Sequence, residues 1–462
     1  MSFRYLAGYI TASYNPLKVP NAPTIGTATA GNAQATITFT APSNVGASAI
    51  TSYIAVATKT SDGTAVSATG TSSPITITGM TNGSAYTIQV CAVNTYGPGP
   101  YSSPSGSVTP YNSYLWAWGN NNLGQLGQNN LTFRSSPVQV GSDGTWSEIT
   151  INYFTLAVKT NGTLWAWGTN NQGQLGQNDT VYRSSPTQVG ALTTWAKVAN
   201  GLNSSFAIKT DGTLWTWGYN ADGQLGDGTV IAKSSPVQIG ALTNWSKIFG
   251  GYNFGIAIKT DGTLWTWGNN SSGQLCQNNL TYRSSPTQVG ALTTWLSASG
   301  SYKFTLLLNS TNQAFGCGHN SIGQLGQSNT TSYSSPTQIG GTWSLITAGH
   351  YFSSGIKTDG TAWAWGSNGY GQLGANIFYG NNKSSPTQIG ALTTWMKISN
   401  GYASGFAVKT DGTLWSWGLN YNGQLGQNNR TYRSSPVQIG SSTTWITPIT
   451  GFDSYSSLAI SS

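Results

Sequence analysis

Four aspartates recur in one setting along this chain. Asp211, Asp261, Asp359 and Asp411 are each followed by Gly-Thr and a Trp-x-Trp-Gly run, and Asn161 stands in an equivalent place. A carboxylate beside indoles could serve acid–base chemistry, but that chemistry needs a second carboxylate or a histidine within reach. The chain holds only two histidines, His319 and His350, and one glutamate, Glu148. Each repeated aspartate precedes glycine between two β-prone runs, as in FAIKTDGTLWTWG (206–218). That is the setting of a hairpin turn, where aspartate tolerates left-handed backbone. Turn chemistry accounts for these acids, and repeat spacing keeps them apart. A Ser–His–acid set lacks histidines, GQLG is too short and lacks the lysine of a phosphate loop, and metal-ligand spacing is absent. No catalytic residue, metal or cofactor is expected.

The other recurring chemistry is cationic. The residue before Ser-Ser-Pro is basic in six copies, Arg134, Arg183, Lys233, Arg283, Lys383 and Arg433, with Tyr333 in the fifth copy. An aromatic precedes the cation at Phe133, Tyr182, Tyr282 and Tyr432. Repeat symmetry sets these side chains as a ring on one face. Each cation could pack across its aromatic or cap its own repeat; alternatively the ring is a polyvalent rim for an acidic glycan or a protein. The loops before Ser-Ser-Pro vary from copy to copy. The sixth, ANIFYGNN, is the longest and adds Phe378 and Tyr379, an aromatic insertion suited to recognition.

These residues must be positioned by a scaffold whose composition is unusual. Of 462 residues, 6 % are charged and 12 % aromatic, with 19 Trp and 59 Gly. Ordinary soluble proteins carry about 25 % charge, so the polar surface here is built from Asn, Gln, Ser and Thr. The net charge of +8 is spread thinly and forms no Lys/Arg cluster. Nucleic-acid binding is therefore not expected. No apolar run is long enough to span a membrane, and the N-terminus lacks the pattern of a signal peptide. Cys91, Cys276 and Cys317 show no paired spacing and read as isolated small core residues.

Three regions separate: a short arm (1–18), a strand-rich stretch without Trp (19–110), and a repeat region (111–462). The glycines closing the Trp-x-Trp-Gly core, at 119, 168, 218, 268, 318, 366 and 418, are 48 to 52 residues apart. The fifth copy is degenerate, Phe315-Gly316-Cys317-Gly318. GQLG, a variable loop, Ser-Ser-Pro and a lone Trp follow in order. Four short strands per unit, seven times over, predict an all-β seven-bladed β-propeller with one sheet per blade. The first Trp-x-Trp-Gly has no partner strand before it, whereas Leu458-Ala459-Ile460 matches Phe206-Ala207-Ile208. The C-terminal strand is thus expected to pair with Leu115–Trp118 and close the ring.

The pattern WGxNxxGQLGxG…P…V, carried by Trp217-Gly218, Asn220, Gly223–Gly226, Gly228 and Pro236-Val237, resembles the regulator-of-chromosome-condensation repeat. That resemblance implies a seven-bladed propeller. Members acting on a small GTPase use acidic residues on a protruding β-wedge; the uniform, acid-poor repeats here argue against nucleotide exchange. Residues 19–110 resemble a fibronectin type III β-sandwich, through Pro20, Pro23, the strand ATITFTAPSN (35–44), a corner tyrosine at Tyr86, and Val90, Ala92 and Asn94–Gly97. Phe39 replaces that family's core Trp, and there is no Arg-Gly-Asp triplet.

The order of arm, fibronectin module and display domain resembles structural proteins of tailed bacteriophages. It implies a non-enzymatic virion surface protein, made in the host cytoplasm and present in many copies. In this reading the arm docks onto other virion proteins. The sandwich is a spacer, and the propeller meets a host-surface glycan or protein, as in a tail fibre or appendage. A capsid decoration protein and a secreted bacterial inhibitor or adhesin are the alternatives, and a polysaccharide-degrading enzyme is disfavoured by the scarcity of Glu and His.

Overall fold

The computed structural model describes residues 18–377 and 379–462. The arm therefore lies outside the described residues up to position 17. Lys18 belongs with the first unit: its carbonyl accepts from Ala47 N at 3.0 Å and Asn94 Nδ2 at 2.7 Å. Among the described residues every regular element is a β-strand, and the chain divides after Ser113 into two compact units.

The first unit is a sandwich of two antiparallel sheets. One orders Thr24–Gly31, Gln34–Thr40 and Ile75–Thr78; the other orders Ala65–Gly70, Ile50–Lys59, Tyr86–Asn94 and Gly97–Pro98. Alternation along the strands sends Ile37, Phe39, Tyr53, Ala55, Ile77, Ile88 and Val90 into one core. Phe39 fills the place of the missing indole against Tyr53, with ring centroids 4.7 Å apart. Tyr86 Oη accepts from Thr81 N at 2.9 Å, which ties the corner to the strand.

The second unit, Tyr114–Ser462, consists of seven four-stranded antiparallel sheets. Blades 1 to 7 begin at the strands Trp146–Ile151, Trp195–Asn200, Trp245–Gly250, Trp295–Gly300, Trp343–Ala348, Trp395–Asn400 and Trp445–Thr450. These first strands meet one another around the ring, and Trp445–Thr450 meets Trp146–Ile151 to complete it. Blade 7 is assembled from both chain ends: Ser456–Ser461 pairs with Tyr114–Gly119, with Ser457 opposite Trp118 and Ile460 opposite Leu115. No edge of that blade is left open by the chain break.

Adjacent blades are joined by one repeated contact. The second Trp of each Trp-x-Trp is fully buried, and its Nε1 donates to the Gln carbonyl of the preceding blade's GQLG at 2.7–2.9 Å, as in Trp217 to Gln174 and Trp267 to Gln224. The last glycine of GQLG lies flat against that indole. A Cβ on Gly226 would stand 2.9 Å from Trp267, and its φ of +73° also favours glycine. Behind the contact, Phe206, Ile208 and Leu214 of blade 2 pack on Trp245, Ile248 and Trp267 of blade 3.

One interface departs from this rule and corrects the sequence reading of the cysteines. Cys276 stands where GQLG has its last glycine, Cys317 where Trp-x-Trp has its second indole, and the two form a disulfide between blades 3 and 4. Cys276 keeps the left-handed backbone of the glycine it replaces, at φ 58°. The pair is separated by 41 residues and matches no spacing rule, because its geometry belongs to the blade contact and not to local sequence. Cys91 is a free, buried residue of the sandwich.

Candidate functional site

The repeated acids are absorbed by their own turns. Asp211 Oδ1 accepts from Thr213 N at 3.0 Å and from Thr213 Oγ1 at 2.7 Å. Thr213 Oγ1 in turn accepts from Trp215 Nε1 at 2.9 Å. Lys209 lies 3.6 Å from the Trp215 ring centroid and 4.9 Å from that of Trp195. The same arrangement recurs with Lys159, Lys259, Lys357 and Lys409. The threonine hydrogen bonds hold Asp211, Asp261, Asp359 and Asp411 below the usual carboxylate range. Burial draws Lys209 and Lys259 below the usual amine range. These buried cations were not foreseen from sequence, although a Lys-Thr pair before the turn, present in five copies, was available as a signal. The single glutamate, Glu148, is tied to Lys197 of the neighbouring blade.

The cations before Ser-Ser-Pro open the fourth strand of six blades, directly opposite the glycine that closes Trp-x-Trp-Gly: Gly119 faces Arg134, Gly168 Arg183, Gly218 Lys233, Gly268 Arg283, Gly366 Lys383 and Gly418 Arg433, while Tyr333 faces Gly318 in blade 4. They form a ring of half-buried side chains on the outer strands. Three engage their own loops. Arg183 pairs with Asp179 at 2.7 Å, Lys233 with Asp227 at 3.7 Å, and Arg433 Nε donates to Gln427 at 3.2 Å. Among the described residues, the cation–aromatic contacts fall to other lysines, not to these rim side chains. Tyr182 and Tyr282 are exposed, Tyr282 Oη accepts from Asn269 at 2.9 Å, and Tyr432 meets Tyr370 edge-on at 5.9 Å. Tyr379 is exposed, and Phe378 lies outside the described residues.

The variable loops are held by the Asn of WGxN. Asn220 is fully buried, accepts from Leu225 N at 2.9 Å, and donates to the carbonyls of Thr229 and Ile231. This network fixes the loop root and leaves the tip free to vary. Leu131, Val181, Val230, Ile231 and Leu280 are all more than half exposed there.

The same end of the propeller carries a feature that sequence reasoning missed. The turns between first and second strands are joined to the loop roots, for example by Tyr219 N donating to Asn203 O. These turns bring Tyr252, Tyr302, His350, Tyr351, Tyr402 and Tyr455 into a continuous aromatic chain around the axis. Centroid separations are 4.9 Å for Tyr252–Tyr302, 4.6 Å for Tyr302–His350, 4.4 Å for His350–Tyr351, 4.7 Å for His350–Tyr402 and 4.7 Å for Tyr402–Tyr455. Blade 7 has a longer turn, Gly451–Tyr455, and it places Asp453 beside His350 in this aromatic chain. Asp453 Oδ1 meets His350 Nδ1 at 2.6 Å. Burial and then the charge of Asp453 push the Tyr153 hydroxyl far above the ordinary phenol range; burial followed by Tyr402 does the same to Tyr455. An axial cavity of about 320 Å³ adjoins the turns, lined among others by Asn152, Asn200, Gly250, Gly300, Ala348 and Phe452. A signal was present in sequence, the repeated Gly-Tyr or Ser-Tyr before the second strand, but its neighbours differ in each copy.

The face therefore combines flat half-exposed rings, phenol hydroxyls and a sheltered carboxylate at its centre with apolar tips and partly satisfied cations at its rim. Such a surface can bind. Among the described residues, no three His, Cys, Asp or Glu side chains gather as a metal site, and no helix is long and apolar enough to cross a membrane.

Comparison with known proteins gives the context. A model of the RCC1-like domain matches residues 114–455, and one of the fibronectin type III domain matches residues 21–108. Human WBSCR16 is similar in structure, with a TM-score of 0.67 at 18% identity, covering 76% of this chain and 98% of that chain. Yeast RCC1 (Prp20), solved in complex with Kap60, gives a TM-score of 0.66 at 18% identity, covering 76% and 89%. Prp20p from Saccharomyces cerevisiae, described with its binding to Gsp1p and histones, gives 0.66 at 18%, covering 76% and 91%. Identities this low speak for a shared fold alone. No curated protein matches the chain in sequence. The first family match spans nearly the whole propeller and most of the chain, and with it the sevenfold blade contact finds its place: the chain belongs to the RCC1-like domain family, with a fibronectin type III domain ahead of the propeller.

Proposed function

We propose that this chain is a non-enzymatic binding protein of a tailed-bacteriophage virion. Its arm docks onto other virion proteins, its sandwich acts as a spacer, and its propeller presents the loop-bearing face to a host-surface glycan or protein. The observation that carries the binding role is the contrast within each blade between a fixed frame and loops whose apolar tips stand in solvent. Exposed apolar side chains gathered on one face mark interaction surfaces. Yeast Prp20, solved with Kap60 and described with its binding to Gsp1p and histones, is consistent with a family that works by binding proteins. The virion assignment rests on the order of arm, sandwich and display domain. Mass spectrometry of purified virions tests it: the chain should be a stoichiometric component, and its absence defeats the assignment. The binding role is tested separately by changing Arg134, Arg283 and Lys383 to Ser. Adsorption of the purified protein to host cells should weaken while thermal unfolding stays unchanged.

A second reading, an exported bacterial inhibitor or adhesin, is favoured by the Cys276–Cys317 disulfide, since such bonds persist in oxidising surroundings. Recovery of the chain from culture medium of uninfected cells would select it over the first.

A further inference from the structure

We propose that the centre of the loop-bearing face is a recognition site for an ammonium group, such as the side chain of a lysine on a protein partner. The inference goes beyond the reading above and stands whether or not the chain is a virion component.

The argument begins with an expensive residue. Asp453 is 7% exposed, in a turn where the other blades place Tyr153, Leu202, Tyr252, Tyr302, His350 or Tyr402. A buried carboxylate adds nothing to a plug that another tyrosine or leucine would fill more cheaply. Blade 7 nevertheless lengthens its turn, Gly451-Phe452-Asp453-Ser454-Tyr455, to set the carboxylate near the axis. The partners found for it are an imidazole, His350 at 2.6 Å, and the Tyr153 hydroxyl. Neither carries an obligatory positive charge. Its negative charge is felt by Tyr153, Tyr252, Tyr351 and Tyr455, the phenols that surround it.

Near the carboxylate the rings of Tyr252, Tyr302, Tyr351, Tyr402 and Tyr455 are half-buried, each keeping some surface open to solvent. A ring face attracts cations through its quadrupole, and a carboxylate behind the ring strengthens that field where water is excluded. The face already shows the preference: Lys303 Nζ sits 5.2 Å from the Tyr302 centroid. The other ionisable groups nearby are His319, whose Nδ1 meets Gln324, and Asp222, which accepts from Asn253 and Asn269. Lys303 is the one lysine seen over these rings, and Asp453 keeps an imidazole, not a lysine or arginine, as its charged-type partner. This negative centre lies within a protein of net charge +8, so it is a local feature and not a consequence of overall composition.

The test uses the full chain and choline as a soluble ammonium probe, followed by saturation-transfer NMR. Its uncharged isostere, 3,3-dimethylbutan-1-ol, serves as the control. Choline should bind saturably and the isostere should not. Asp453→Asn, which keeps the size of the side chain, should weaken choline binding roughly tenfold. Tyr302→Leu should weaken it as well, and it carries the test if Asp453→Asn fails to unfold cooperatively. Equal binding of the isostere, unchanged choline binding in both variants, or no saturable choline binding would each overturn the proposal. A chain missing from virions leaves this site standing. A chain found in virions that ignores choline keeps the virion reading and loses this one.

Discussion

Blades 1 to 6 each have two turns at opposite ends, and they have been treated in contrary ways. The hairpin between second and third strands repeats almost unchanged, with Asp211, Asp261, Asp359 and Asp411 each clamping a threonine that clamps an indole. The turn between first and second strands differs in nearly every blade, offering Tyr153, Leu202, Tyr252, Tyr302, His350, Tyr402 and the lengthened Phe452–Tyr455. In the first turn the aspartate, threonine and indole satisfy one another within four residues, so the motif specifies itself and can be copied. In the second, partners come from other blades, as when Asp453 reaches His350 across 103 residues. Uniformity marks the frame, and divergence marks the surface available for recognition.

That contrast can be broken in several ways. The largest effect should come from ending the chain at residue 450, which removes Ser456–Ser461 and opens blade 7. Cooperative unfolding of the propeller should be lost, and an unchanged calorimetric transition would contradict ring closure. Next come the blade contacts. Trp267→Ala should cost about 3–5 kcal/mol in chemical denaturation, because it empties a buried indole site and orphans the Gln224 carbonyl. Reducing the Cys276–Cys317 bond should cost about 4 kcal/mol, from the chain entropy released by opening its 41-residue separation. The double change Cys276→Gly with Cys317→Trp should recover much of that loss without a disulfide, because it restores the contact used at the other six interfaces. Thr213→Val should cost about 1 kcal/mol, since it removes the hydroxyl linking Asp211 to Trp215 while keeping the side chain's shape. The smallest effect should be on acid stability. The repeated aspartates have folded-state pKa values below their ordinary 3.8. On acidification the unfolded chain therefore takes up protons first. The stability they contribute is complete above about pH 4 and declines as pH falls through the lower folded-state values. A melting temperature that stays flat down to pH 2 would argue against it.

How much could be read in advance follows the same division. The blade count, the ring closure at Leu458–Ile460 and the hairpin role of the aspartates were legible, because each depends on residues close in sequence or repeated in register. The disulfide was not. Cys276 and Cys317 are each an oddity in a different motif, and only the blade contact shows that GQLG's last glycine and the second indole touch. The lysines over the indoles were missed because they sit in a strand that otherwise reads as apolar. The axial aromatic cluster was missed because its members come from different blades and include a lengthened turn, so no copy resembles the next. The rim cations recur at one position of the fourth strand, yet Arg183 and Lys233 turn back onto Asp179 and Asp227 of their own loops. Their charge is partly spent within the blade.

The two classes of carboxylate offer the most direct test of the account. Choline titrations should be run on the unaltered protein, on Asp453→Asn and on Asp211→Asn, with saturation transfer as the readout. Only Asp453→Asn should lose affinity, because Asp211 belongs to the frame and Asp453 to the face. Loss of binding in Asp211→Asn, or equal affinity in all three proteins, would contradict the separation of frame from face.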